Sequence, residues 1–134
     1  MVHCDSFKVI EQVESFTAPL EQIPLEEFRT SAAARATFLK ALDLAHWRWT
    51  QLVEEIGWCK YDLNEIKELG LNADYIQPNE EFLAAAIPLR DRFAVCFHAI
   101  KDIVLDGTHE EIDELTLSYA HGHVEYIEEA LGEY

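Results

Sequence analysis

Apolar residues recur at three- and four-residue spacing along most of this chain, and that period belongs to helices. In DSFKVIEQVES, residues 5–15, Val9, Ile10 and Val13 share one side, and Asp5 is placed to cap the segment. A connector with Pro19 and Pro24 follows, and LEEF after Pro24 suits a short helical turn. A long helix is predicted over about 31–57, opening at Thr30 or Ser31. A short one is predicted over 62–69, with Asp62 and Glu65 in capping-box-like spacing and Gly70 as its stop. GLNADYIQPN reads as a loop. Asn79 is then expected to cap a helix that runs to Leu105, kinked or divided at Pro88. After a break at Asp106-Gly107, Thr108 and Glu111 form a capping box for a final helix over about 109–131.

No run alternates with period two, no turn dipeptide joins β-branched runs, and no repeat is visible. The expected fold is all-α: one domain over 1–134, a bundle of about five helices.

Projection at 100° per residue assigns faces. In the long helix, Ala34, Phe38, Ala41, Leu42, Ala45, Trp49, Leu52, Val53 and Ile56 make a core side. Trp47 falls opposite, with Lys40, Asp43, Gln51 and Glu54, and Trp58 follows it if the helix continues. Arg48, beside the core stripe, is expected to pair with a carboxylate of another helix. In the final helix, Ile112, Leu115, Thr116, Tyr119, His123, Tyr126, Ile127 and Ala130 gather on one side. Glu110, Glu111, Glu114, His121, Glu125, Glu128 and Glu129 gather on the other.

Charge sharpens this picture. The net charge is -16, from 26 acids against 10 bases, a balance opposed to direct binding of nucleic acid or of an anionic membrane. From Asp102 to Tyr134 there are ten Asp or Glu and no Lys or Arg. Glu128, Glu129 and Glu133 stand near a helix C-terminus, where the dipole favours cations, so helix stability does not explain them. Seven acids from Glu110 to Glu129 would span about 30 Å of helix, close to the phosphate spacing of a DNA strand. The plain alternative is a solvated face.

No signal peptide is apparent, and LAAAIPL is too short to cross a membrane. Three scattered cysteines, Cys4, Cys59 and Cys96, do not make a disulfide framework and fit a reducing, cytoplasmic setting. The two histidines of His121-Gly122-His123 point about 200° apart in a helix. His123 reads as a core histidine, and His121 as the surface neighbour of Glu125. A di-iron bundle needs two Glu-x-x-His motifs, whereas this chain offers Asp43-Leu44-Ala45-His46 once. No CxxC or HExxH occurs, so no metal site and no cofactor is expected.

Two short stretches resemble enzyme motifs. LVEEIGW, with Glu54 and Glu55, begins like the Glu-Glu-x-x-Glu of MazG-type pyrophosphohydrolases, but Trp58 replaces the third glutamate and no clean Glu-x-x-Asp follows. Arg92 and His98 resemble the spaced Arg and His of HEPN-type ribonucleases, which implies RNA cleavage by that pair. Phe93 stands where that family usually has a polar residue, and a continuous helix points the two side chains about 120° apart.

The function expected from these features is a small acidic non-enzymatic inhibitor or binding protein. It would cover a basic surface of a partner protein, such as a nucleic-acid-binding enzyme, through Glu110, Glu111, Glu114, Glu125, Glu128, Glu129 and Trp47. Phage anti-restriction and anti-CRISPR proteins, some of them DNA mimics, share this composition by analogy. The alternatives are the ribonuclease of Arg92 and His98 and a structural or assembly subunit; a homodimer is compatible with all three.

Overall fold

A computed structural model describes residues 4–106 and 112–132. Among the described residues the chain is all-α, with helices α1 (Cys4–Gln22), α2 (Glu27–Thr30), α3 (Ala32–Leu69), α4 (Ile76–Leu105) and α5 (Glu114–Gly132) and a 3-10 turn at Ala73–Tyr75. The long pair α3 and α4 forms the centre. Each of the two touches α1, α2 and α5, which do not touch one another among the described residues.

The core stripe of α3 is the one its periodicity predicts: Ala34, Phe38, Ala41, Leu42, Ala45, Trp49, Leu52 and Ile56 are buried, and Val53 is half-buried. Trp49 is fully enclosed, and its indole N–H donates to the carbonyl of Arg90 on α4 at 3.1 Å, which satisfies the one polar group it buries. Ser31 caps the helix, its hydroxyl accepting from the Ala34 N–H at 3.2 Å. Arg35, almost buried, donates to the carbonyls of Phe28 and Arg29 and so fastens α2 to α3.

Several predicted boundaries are corrected. The helix of 31–57 and that of 62–69 are one helix, α3. Cys59 and Ile66 continue its buried stripe beyond Gly57, and their packing outweighs the roughly 1 kcal/mol that a mid-helix glycine costs. Gly70 does end it, at φ 67, with its N–H on the Ile66 carbonyl. Pro19 does not open a connector, because α1 runs to Gln22, and Pro88 does not divide α4. Both proline rings are exposed, while buried Leu20 and Phe16, and Ala86 and Leu89, hold the flanking turns.

Asn79 is not a cap. The helix begins at Ile76, where Pro78 fits the first turn, and Asn79 is wholly buried inside it. Its amide donates to the Tyr75 carbonyl at 2.6 Å and its side-chain oxygen accepts from the Cys59 thiol at 3.0 Å. The last helix starts at Glu114, where Asp113 accepts from the Thr116 N–H at 2.9 Å and from its hydroxyl at 2.8 Å. The Thr108–Glu111 capping box lies outside the described residues.

Candidate functional site

α5 lies along the middle of α3 in parallel. Thr116, Tyr119, Ala120 and His123 share a cleft of about 380 Å³ with Leu39, Lys40 and Asp43. Further along, Tyr126, Glu129 and Ala130 share one of about 470 Å³ with Thr50, Val53, Glu54 and Gly57. Between the two clefts sits a polar cluster. The His123 ring stacks on His46 with centroids 4.0 Å apart and planes 17° apart. Its Nε2 lies 3.1 Å from Asp43 Oδ1, with the ring N–H donating to the carboxylate. The Tyr126 ring stands edge-on to His46 at 6.3 Å. Nδ1 of His46 is buried and has no hydrogen-bond partner among the described residues.

This arrangement corrects the predicted rotation of α5. Its buried residues are Ala120, Val124 and Ile127, while Leu115, Tyr119 and Tyr126, expected in the core, are exposed. The helix is turned by about 90° from its projected orientation. His123 is accordingly a half-buried residue at the edge of a groove, hydrogen-bonded rather than packed among apolar groups.

The acids of α5 divide. Glu114, Glu125 and Glu129 are exposed and have no ion-pair partner among the described residues. Glu128 pairs with Lys101 of α4 and so helps dock the helix. Glu110 and Glu111 lie outside the described residues. Between Glu114 and Glu125 the helix carries no acid for about 16 Å, so α5 does not hold an even row of charges at phosphate spacing.

Trp47 is 63% exposed, and the same stripe of α3 carries Trp58 at 60% and Tyr61 at 56%. Trp58 and Tyr61 meet edge to face at 6.2 Å, and the Tyr61 hydroxyl donates to Glu65 at 3.1 Å. That bond raises the Tyr61 pKa above its ordinary value. Among the described residues Arg48 has no partner on another helix, contrary to expectation: it bonds Gln51 and lies 5.9 Å from the Trp47 ring centroid.

Arg92 and His98 make separate contacts. The Arg92 guanidinium gives its donors to Glu14 and Glu21 of α1, which hold it firmly protonated, while His98 is exposed and leans on Phe97. Burial pushes the thiols of Cys59 and Cys96 above their ordinary pKa, which disfavours the reactive thiolate. No helix among the described residues is long and apolar enough to cross a membrane.

No spacing in the sequence brings the polar cluster together, because it joins positions eighty apart. The one local sign of it is Asp43 and His46 at i, i+3, on one face of a helix. No family model matches the chain, and no curated protein or solved structure is detectably similar to it.

Proposed function

We propose that this chain is a non-enzymatic binding protein that covers a basic, nucleic-acid-binding surface of a partner protein. The observation that carries this reading is the exposed stripe of Trp47, Trp58 and Tyr61 on α3, with Glu54 and Glu65 in the same row. Exposed tryptophan is an expensive choice for a purely solvated surface and a common anchor of protein interfaces. A carboxylate beside an aromatic ring suits Lys and Arg, which pair with the acid and lie over the ring face. Glu125, Glu129, Tyr119 and Tyr126 extend the same combination onto α5.

The net charge of -16 adds long-range steering toward a basic partner. The mix of aromatic and acidic groups favours recognition of a protein surface over an even imitation of DNA phosphates.

The test is capture of partners from host lysate by the tagged chain at low and high salt. A basic nucleic-acid-binding protein is expected at low salt, released at high salt, and lost when Trp47→Ala and Trp58→Ala are combined. The reading fails if Glu114, Glu125, Glu128 and Glu129 are all changed to Gln and capture is undiminished. Self-association alone, seen by sedimentation, would point instead to an assembly subunit.

A further inference from the structure

We propose that Asp43, His46 and His123 form a binding site for one divalent first-row transition-metal ion of the zinc type. The inference is independent of the partner surface on α3. One ligand atom from each of the three side chains lies within 4.8 Å of the other two. Some point is therefore no more than about 2.8 Å from all three, so each donor atom must close by under an ångström to reach the 2.0–2.2 Å of Zn–N and Zn–O bonds, and the stacked rings must turn out of parallel for their in-plane lone pairs to converge on the ion.

The donor set decides the class of ion. Two imidazoles and one carboxylate suit zinc, iron(II), cobalt or nickel; magnesium and calcium want mostly oxygen. The buried and unpartnered Nδ1 of His46 is a polar atom that the bundle itself leaves unsatisfied.

On binding, the His123–Asp43 hydrogen bond gives way. Asp43 and His123 both turn to the ion, and the ring proton leaves the ligating nitrogen for solvent or for the other ring nitrogen. Three protein ligands leave coordination positions free, and the cleft lined by Lys40, Thr116 and Tyr119 gives them access to water or to a small anion.

Calorimetric titration of the chelator-treated full chain with Zn(II), and absorption spectra with Co(II), test the site. One equivalent is expected to bind, with Co(II) bands in the visible. Asp43→Asn and His123→Gln are each expected to weaken binding about tenfold or more, while His121→Ala, on the exposed side of the same helix, leaves it unchanged. Asp43 is exposed, so its Asn variant decides the matter if the histidine variant fails to keep its helicity by circular dichroism. Absence of binding, weak binding of several ions regardless of these variants, or loss only in His121→Ala would overturn the proposal.

Discussion

α1 and α5 dock on the same pair of helices without touching each other, and they dock by different means. α1 presents Val9, Val13, Phe16 and Leu20 in one buried stripe. Phe16 meets Phe93 edge to face at 5.5 Å, and Arg92 of α4 reaches across to Glu14 and Glu21. α5 buries three smaller side chains, Ala120, Val124 and Ile127. Leu117, Ala130 and Leu131 pack half-buried beside them, and polar contacts complete the hold: His123 on Asp43 and His46, and Glu128 on Lys101. The first contact is an apolar seam with a charged clamp at its rim. The second trades apolar area for polar groups and open clefts. Polar chemistry collects where a helix is not sealed against its neighbours, and in this molecule that is the α3–α5 groove.

The largest effect that would sharpen this contrast is on stability. Phe16→Ala should cost about 3–5 kcal/mol and Ile127→Ala about 2 kcal/mol, read as shifts in urea unfolding. Equal losses would erase the distinction between the two contacts.

Next comes the clamp. Arg92→Gln should cost about 1 kcal/mol, because the pairs are partly exposed and solvent screens them. The hydrogen bond from Arg92 holds the Glu21 carboxyl below its ordinary pKa of 4.5. A depressed acid pKa contributes stability that is present above 4.5 and is lost as pH falls through the folded value. Urea midpoints measured below pH 4.5 should therefore fall less steeply in Arg92→Gln than in the parent chain. Equal slopes would mean that the clamp contributes no pH dependence.

Hydrogen exchange compares the two helices directly. Amides of α5 should exchange faster than those of the middle of α1, since fewer apolar contacts oppose its local opening. The smallest expected effect is at the aromatic stripe. Trp47→Ala and Trp58→Ala should each move stability by no more than about 0.5 kcal/mol, because neither ring is packed into the core. A larger loss would mean that these side chains serve the fold rather than a partner.

Legibility differed among the helices. The core residues of α3 could be read position by position, because a long stripe flanked by charges leaves one way to turn the helix inward. α5 could not. It has two apolar flanks, Leu115, Tyr119 and Tyr126 on one side and Leu117, Ala120, Val124 and Leu131 on the other, with Ile127 near both. Amphipathicity does not choose between them. The smaller residues allow close approach to α3 and α4, while the tyrosine hydroxyls keep contact with water. Of the candidate interface, the exposure of Trp47 followed from its position opposite the core stripe. The groove did not, since it depends on the rotation of α5.

By itself the sequence determined the helical class, the core stripe of α3 from Ala34 to Ile56, a helix start at Thr30 or Ser31, a helix stop at Gly70 and the strong acidity of the chain. These follow from local spacing, capping chemistry and charge, which each segment carries alone. Only the tertiary structure decided that α1, α3 and α4 run on through Pro19, Gly57 and Pro88, where packing on both sides outweighs a local penalty. It alone brought His123 to Asp43, eighty positions earlier in the chain. No spacing rule reaches that far, because the distance between two helices is set by how their side chains fill the space between them.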